Sequence, residues 1–425
     1  MVEALLVTFA VGLIIGLPIA VALIVGVIAG LYLADIPLMV VTQKMFTSLD
    51  SYPLLAIPFF ILAGAVMQHG GMAKRLVRFA SALVGHISGG LALVTVLACT
   101  FFGALSGSAP ATTAAIGSVT VPEMTKRGYD VKYSAALAAA AGILGILIPP
   151  SIPLVLYGVT ANVSVATLFM GGIMPGIILG LLLMVVAYLI AKKRGYRSEK
   201  RAELNELLHA LKESFWALLV PVIILGGIYG GVFTPTEAGV VASVYALFVG
   251  AFVYRELDLK RLVKVAYDVA ESTATIMLVA GAATIFGWFM TNQNIPQTLT
   301  EQILTFSSNG FIVLLLLNII FLVTGLFMNQ GPAILILAPI LLPVITKLGV
   351  DPVFYGIVMT MVLGLGQITP PVALSIFVAS RLSNVSVEKL TPSVMPFLLI
   401  MILGAFILTY MPGVVMLIPN LLGIH

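Results

Sequence analysis

The chain has 425 residues, 60% of them hydrophobic and only 9% charged, with a formal net charge of +4. No water-soluble domain has this composition, so the sequence specifies an all-α polytopic membrane protein. The single cysteine, Cys99, excludes an internal disulfide framework. The basic excess sits in short loops and does not point to nucleic acid.

Residues 4–34 are apolar and long enough for one span, with Pro18 as a kink. The run is too long, and lacks the basic start, for a cleavable signal peptide. A polar connector carrying Asp35, Lys44 and Asp50 leads to a span over 52–68. Residues 72–84 set Lys74, Arg75 and Arg78 against Leu76, Phe79 and Leu83, the pattern of a helix lying at the membrane interface. Two apolar pieces follow, 89–105 and 109–123, each short of the ~20 residues that a crossing needs. Between them lies Ser106-Gly107-Ser108. This reads as a re-entrant hairpin whose tip is buried in protein or faces water.

Residues 131–157 should cross the membrane but cannot be continuous helix, because Gly145-Ile146-Leu147-Ile148-Pro149-Pro150-Ser151-Ile152-Pro153 interrupts them. Pro149 and Pro150 lack an N–H and crowd the carbonyls four residues back, so Gly145 and Ile146 lose their helical donors. In hydrocarbon an unpaired carbonyl costs several kcal/mol, and a break is tolerated only where protein, water or an ion satisfies it. A span over 164–191 follows. The charged stretch 192–211 contains Leu204, Leu207, Leu208 and Leu211 on one face, an amphipathic arm. Spans over 214–231 and 239–253 are joined by Thr234-Pro235-Thr236-Glu237, the residues of a capping box with Pro at the first helical position. Glu237 is read as that cap rather than as an intramembrane carboxylate. A second basic arm covers 257–270.

From there the first plan returns: a span over 271–289, a short amphipathic piece at 296–306, and a second hairpin from 311–328 and 333–346 with Asn329-Gln330-Gly331 at its tip. The second broken helix, 353–381, contains Gly364-Leu365-Gly366-Gln367-Ile368-Thr369-Pro370-Pro371, where Gly366 and Gln367 carry the freed carbonyls. A span over 391–410 and an apolar tail to His425 complete the chain.

The likeness of the two halves is a duplication. Gly103 aligns with Gly325, Pro110 with Pro332, Pro122 with Pro343, and Gly128 and Asp130 with Gly349 and Asp351. Gly145, Pro149 and Pro150 meet Gly366, Pro370 and Pro371; Asn162-Val163-Ser164-Val165 meets Asn384-Val385-Ser386-Val387; Met174-Pro175 meets Met395-Pro396. Apolar helices align by chance through Leu, Val and Ala, not through Pro, Gly and Asn in order. Loop charge sets the orientation. With the groups at 74–78, 126–132, 192–212, 255–264 and 381–389 in the cytoplasm, 19 of the 21 Lys and Arg are inside, leaving Lys44 and Lys347. The repeats are then inverted, and inverted repeats with broken helices are an alternating-access design. The expected division is 1–85 as N-terminal scaffold helices and interfacial arm, 86–160 as first hairpin and broken helix, and 161–270 as scaffold helices with amphipathic arms. Residues 271–307 are a scaffold span and arm, 308–382 the second hairpin and broken helix, and 383–425 a C-terminal scaffold helix and tail.

The run from Phe101-Phe102-Gly103-Ala104-Leu105-Ser106-Gly107-Ser108 through Ala109-Pro110-Ala111-Thr112-Thr113, together with 145–153, closely resembles the large membrane subunit of TRAP (tripartite ATP-independent periplasmic) transporters. Residues 56–64 and 333–339 add to the likeness, which covers essentially the whole chain. The resemblance implies sodium-driven uptake of an organic acid of the sialic acid or C4-dicarboxylate class, handed over by a periplasmic binding protein. It also implies a small four-helix membrane subunit, a bacterial inner-membrane location, and an elevator motion of hairpins and broken helices against a scaffold. Many relatives carry Asp after the Met at the second hairpin tip, where this chain has Asn329.

Sodium is a hard cation that takes oxygen ligands, and neither break contains a carboxylate. Two candidate sodium sites follow: Ser106 and Ser108 with the carbonyls of Gly145 and Ile148 and with Ser151; and Gly325, Met328 and Gly331 with Gly366 and Thr369. The half-helices after the breaks would aim positive dipole ends at a substrate carboxylate, with Ser106, Ser151 and Asn329 as direct contacts. Backbone capping at a tight turn is the alternative role for the serines. Arg381 is read as snorkelling to the cytoplasmic surface rather than binding an anion. His69, His86, His209 and His425 have neither metal spacing nor a nucleophile partner. A stand-alone sodium–dicarboxylate symporter is the alternative function. An intramembrane enzyme is disfavoured for want of a carboxylate pair or Ser-His arrangement within a span.

Overall fold

In the computed structural model, residues 1–196 and 201–423 are described. Residues 197–200, inside the charged stretch and part of its basic group, lie outside the described residues, as do 424–425 with His425 at the end of the tail. The described residues form helices and turns, eight of the helices long and apolar enough to cross a membrane.

The single N-terminal span is replaced by two helices, α1 (Val2–Ile14) and α2 (Ile19–Leu33), folded on each other. The correction has a local cause. Gly16 takes φ +84°, the left-handed region open to glycine, and Pro18 bars helical backbone at the residue before it. A β-carbon on Gly12 would lie 3.1 Å from Ala22 Cβ, so the two legs pack at close range. The polar connector contains α3 (Met39–Leu49). A 3₁₀ turn (Tyr52–Leu55) runs into α4 (Ala56–His69), and the interfacial arm is α5 (Met72–Val84). The first hairpin is α6 (Gly90–Ser106) and α7 (Ala109–Lys126). The first broken helix is α8 (Val131–Gly142), a 3₁₀ turn (Ile143–Ile146) and α9 (Ile152–Ala161), followed by α10 (Val165–Lys193).

The two amphipathic arms are not separate from the spans after them. Residues 204–229 are one helix, α11 (Leu204–Tyr229), and 259–292 are one helix, α13 (Leu259–Asn292). Neither junction carries Gly or Pro, and Ser214 at the first turns its hydroxyl back onto the Ala210 carbonyl (2.8 Å) inside the helix. A change from amphipathic to apolar pattern does not stop a helix. With 34 residues, α13 is about 51 Å long at ~1.5 Å per residue and outruns a ~30 Å hydrocarbon core. Between them, α12 (Pro235–Phe248) starts from the predicted capping box. Thr234 Oγ1 accepts the Glu237 N–H (3.3 Å) and Glu237 accepts the Thr234 N–H (2.8 Å). Then come α14 (Ile295–Phe306), the second hairpin α15 (Gly310–Phe327) and α16 (Gln330–Lys347), and the second broken helix. The latter is α17 (Pro352–Leu365), a 3₁₀ turn (Gly366–Ile368) and α18 (Leu374–Ser383). Helix α19 (Val387–Thr409) and the short α20 (Pro412–Val415) and α21 (Leu417–Leu421) end the described chain.

The duplication is visible in local structure. Asp130 caps α8 by accepting the Tyr133 N–H, and Asp351 caps α17 by accepting the Val353 and Phe354 N–H groups. Asn162 and Asn384 end α9 and α18 with φ +54° and +53°. Pro149–Pro150 and Pro370–Pro371 are both cis. Gly103 meets Gly145, and Gly325 meets Gly366: added β-carbons on Gly103 and Gly366 would lie 2.9 and 2.5 Å from the partner glycine's Cα. Hairpin and broken helix therefore touch backbone to backbone at matching places. The two broken helices run antiparallel, because Tyr157 late in α9 donates to the Pro352 carbonyl at the start of α17 (2.7 Å).

Packing also shows which helices lie against one another. On α10, β-carbons at Gly172 and Gly176 would strike the Leu147 carbonyl and the Ile148 side chain, and Gly171 faces Ile357 of α17. On α19, Phe397 packs at a tilt against Tyr133 (5.9 Å) and Gly404 faces Leu179 and Leu182 of α10. So α10 and α19, grouped by sequence with scaffold segments, lie directly on the broken helices. A second body joins α4 to α12 through Ser243 and the Phe59 carbonyl (2.7 Å), α5 to α11 through Arg78–Glu213 (2.7 Å), and α2 to α13 through Gly30 and Phe289.

The loop ends sort into two sets that match the charge-derived sides. Arg75–Glu256, Arg78–Glu213 and the stacked Tyr129–Tyr196 pair join ends assigned to the cytoplasm; Phe311–Tyr410 joins ends assigned to the other side. Cys99 is fully buried, so introduced cysteines can be labelled over a silent background. Cysteines replacing Glu203 and Asp351 are expected to react with an impermeant maleimide from opposite membrane faces, Glu203→Cys only from the cytoplasm; labelling of both from one face contradicts the topology. Gly366→Ala is expected to destabilise the purified protein by about 1–3 kcal/mol through overpacking. Gly226→Ala, with nothing within 4 Å of the new methyl, should be neutral or stabilising in the same thermal melt.

Candidate functional site

The breaks cap themselves in part. At the first, the Ser151 hydroxyl donates to the Ile146 carbonyl (2.5 Å) and accepts the Leu154 N–H (3.3 Å), so one side chain closes the break and starts α9. At the second, Thr369 Oγ1 donates to the Leu365 carbonyl (2.8 Å) and the Thr369 N–H to that of Gly366 (3.1 Å). Each hairpin tip is tied to the chain just beyond the prolines, through Ile152 N–H to the Gly107 carbonyl and Val372 N–H to that of Leu326, both 3.2 Å.

Between the two tips lies a cavity of about 160 Å³. That is room for on the order of ten water molecules. Its wall includes Ser108 to Pro110 at the start of α7, Ile152 and Pro153 at the start of α9, and Asn329 to Pro332 at the start of α16. Three helix N-termini thus border one small space with the positive ends of their dipoles; at α9 the first N–H groups are already taken by the Gly107 carbonyl and Ser151 Oγ. Among the described residues no Lys, Arg, His, Asp or Glu is in the wall; Gln330, Gln367 and Thr275 of α13 complete its polar part. The arrangement suits an anion held by dipoles rather than by a fixed countercharge. The start of α18, expected from sequence to face the same space, is not in this wall.

A second cavity, about 260 Å³, shares Ser108, Ile152 and Ile276 with the first. It runs between α4 and α13 past Ser106, Ser272, Gln68 and Asp268 to His69, the last residue of α4.

The predicted oxygen groups fall in two clusters. At the first tip, Ser106 Oγ lies 2.7 Å from Thr112 Oγ1 and 3.4 Å from the Ser108 carbonyl. Gly145 is pressed onto this group; a β-carbon there would sit 2.3 Å from Thr112 Oγ1 and 3.0 Å from the Ser108 carbonyl. Ile148 is elsewhere, its amide and side chain against Gly176 of α10. Ser151 is engaged within its own break. At the second tip, Gly325 meets Gly366 and the Leu363 carbonyl, with Thr369 beside them on Leu365. Met328 is the extended residue closing α15, and Gly331 lies in the wall of the central cavity. Of the three residues expected to touch substrate, Asn329 borders the central cavity, Ser106 borders the second cavity, and Ser151 borders neither. Asn329 starts α16 without a capping bond from its side chain.

Sequence reasoning missed Thr112, Gln330 and Gln367. Thr112 follows the tip by one helical turn, the i, i+4 relation to Ser108 that any helix start implies. The glutamines were legible only as polar residues at apolar depth. Among the described residues, no three His, Cys, Asp or Glu side chains gather as a metal cluster.

Inverted broken helices around a neutral, dipole-lined cavity define a multi-pass membrane permease. The sequence profile of the "Tripartite ATP-independent periplasmic transporter, DctM component" family matches residues 6–414, and the chain belongs to this family as a large permease subunit. The isethionate TRAP permease DctMQ of Oleidesulfovibrio alaskensis is 46% identical over 410 residues, 96% of this chain and 65% of that protein, so the chain spans about two thirds of that relative's length. The C4-dicarboxylate large permease DctM of Pseudomonas aeruginosa is 44% identical over 89% of each chain. The sialic acid large permease SiaM of Vibrio cholerae is 38% identical over 96% of this chain and 95% of its own. The crystal structure of the Alcanivorax borkumensis YdaH transporter shares the fold, with a TM-score of 0.63 over 87% of this chain and 86% of that one, at 17% identity. The relatives are permeases rather than enzymes, and a bacterial inner-membrane location follows with the family.

The Ser106–Thr112 pair is buried at the first tip. Ser106→Ala and Thr112→Val are expected to be non-additive in thermal stability, with a coupling of about 0.5–3 kcal/mol. Strict additivity in the double mutant would mean that the two hydroxyls do not act together.

Proposed function

We propose that this subunit imports a small organic anion together with sodium by alternating access. The observation that supports this best is the pairing of two neutral oxygen clusters, one at each repeat's Gly–Gly contact, on either side of a cavity bordered by three helix N-termini. Hydroxyl and carbonyl oxygens suit sodium, and the lack of a carboxylate keeps such a site weak enough to release its ion. Sodium bound there would place positive charge beside the dipole ends and favour an anion in the cavity, which couples the two cargoes. The relatives named above carry isethionate, C4-dicarboxylates and sialic acid in their names, and all of these are organic anions.

The moving body in this reading is the two hairpins and broken helices together with α10, packed onto them through glycine contacts, and α19, packed on Tyr133 through Phe397 and on α10 through Gly404. The rest, with α4, α12 and α13, stays as scaffold, in the manner of an elevator. The second cavity reaches the cytoplasmic ends of α4 and α13, the opening that an inward-facing state requires. A small membrane subunit and a periplasmic binding protein complete the system, the latter delivering the anion.

Proteoliposome uptake under an inward sodium gradient tests this. Uptake of labelled isethionate, succinate or sialic acid is expected only with the small subunit, the cognate binding protein and sodium all present. Uptake by this chain alone would favour the stand-alone symporter. Thr112→Val and Thr369→Val should each raise the half-saturating sodium concentration, by roughly tenfold for one lost cation–oxygen contact at ~1.4 kcal/mol. Unchanged sodium dependence in both would remove the oxygen clusters from the mechanism.

A further inference from the structure

The α1–α2 hairpin carries a backbone problem of its own. Glu3 near its start and Asp35 just past its end are charged, and both lie on the side that loop charge assigns away from the cytoplasm. The two legs have 13 and 15 residues, about 20 Å each at ~1.5 Å per residue, against a ~30 Å hydrocarbon core. Contacts with α13 agree. A β-carbon on Gly30 would lie 2.9 Å from Phe289, and Phe9 packs on Phe286 (5.9 Å), both close to the Asn292 end of that helix. The turn from Ile14 to Pro18 therefore lies deep in the hydrocarbon and well short of the cytoplasmic face. Its surroundings are open. Ile14 and Ile15 are 83% and 68% exposed, the bare backbone of Gly16 is exposed, and nothing lies within 4 Å of a β-carbon built there.

The Gly16 and Leu17 N–H groups are used within the turn, on the Leu13 and Gly12 carbonyls (3.1 and 2.9 Å). Among the described residues nothing donates to the carbonyls of Ile14, Ile15, Gly16 and Leu17, and the first N–H groups of α2, from Ile19 to Val21, have no capping side chain. The side chains of the turn are Ile, Leu and Pro, which supply neither donor nor acceptor. Irregular backbone at this depth does not face lipid; it is covered by protein or lines a water-filled space. A second copy of this chain docked tip to tip would bring the same apolar turn and no side-chain donor. The cover that fits is a different transmembrane helix with hydroxyl or amide side chains at mid-depth, the groups that bond helices to one another in membranes. We infer that the tip of the α1–α2 hairpin is an interface site, on which a helix of the small membrane subunit packs at Gly16 and donates hydrogen bonds to the carbonyls of Ile14 to Leu17. This rests on the tripartite reading above. Val7, Val11 and Ile14, exposed at i, i+4 and i+7 on α1, extend the same surface from the tip towards the outer face.

The test uses the membrane complex of this chain with its small subunit. Benzoylphenylalanine in place of Ile14 or Ile15 should photo-cross-link to the small subunit, identified by the mass of the adduct; the same probe in place of Leu181, exposed on α10, should not. Ile14→Trp enlarges a side chain that is 83% exposed. It should weaken capture of the small subunit by the purified chain about tenfold or more, and leave the melting temperature of the chain alone unchanged. Val11→Trp gives the same comparison if the tip does not accept tryptophan. Adducts from both tip positions with lipid alone or with a second copy of this chain overturn the inference, as does cross-linking to the small subunit no stronger than from Leu181. Unaltered capture by both tryptophan variants also overturns it. So does an Ile15→Cys thiol that reacts with a hydrophilic thiol reagent in the assembled complex, since water would then pair the turn. A wild-type chain that forms no complex with the small subunit would instead overturn the tripartite reading on which the inference rests.

Discussion

Everything in this protein follows from the cost of an unpaired backbone group in hydrocarbon. A prolyl pair in mid-membrane frees carbonyls that no lipid can satisfy. The chain answers with side-chain hydroxyls at i+5 and i+4, Ser151 on Ile146 and Thr369 on Leu365, and with a hairpin tip brought against each break. The tip can come that close because glycine faces glycine at Gly103–Gly145 and Gly325–Gly366. Once hairpin and break are in backbone contact, their remaining carbonyls and hydroxyls point into shared space. The proposed binding chemistry is thus a consequence of how the breaks are made tolerable.

Duplication then converts one such device into a transporter. Two copies run antiparallel, so their tips approach the same depth from opposite sides and enclose one cavity. Because the helices starting at the tips and at the first break begin there, their positive ends border it. In the proposed reading the anion needs no lysine or arginine, and its release is not opposed by a fixed countercharge. The glycine-lined face of α10 brings that helix against both broken helices, through Gly172 and Gly176 on the first and Gly171 on the second, so the central assembly packs as a unit beside α4 and α13.

Much of this was legible in the sequence, for identifiable reasons. Pro, Gly and Asn carry backbone constraints that do not depend on tertiary context, so the hairpins, breaks, capping box and repeat register could be read from Pro149, Gly145, Asn162 and their counterparts. Helix extents were less legible where only hydropathy changed: α11 and α13 pass through their amphipathic-to-apolar junctions because nothing there stops a helix. The N-terminal hairpin was hidden in the opposite way, since an uninterrupted apolar run conceals the turn that Gly16 and Pro18 make. At the site, spacing revealed which backbone was irregular but not which side chains met across it. Thr112 and the Gln330–Gln367 hydrogen bond (2.9 Å) depend on contacts between elements far apart in sequence, and Ser151 proved to be engaged within its own break.

The claim that the packed central body moves against α4 and α13 is tested most directly by tethering the two. Ala111 of α7 and Ser272 of α13 border the same second cavity and belong to different bodies. With both replaced by cysteine, a short bifunctional thiol reagent should join them, stop sodium-driven uptake while bound, and restore it on cleavage of the linker. Undiminished uptake by the fully cross-linked protein would contradict relative motion of the two bodies.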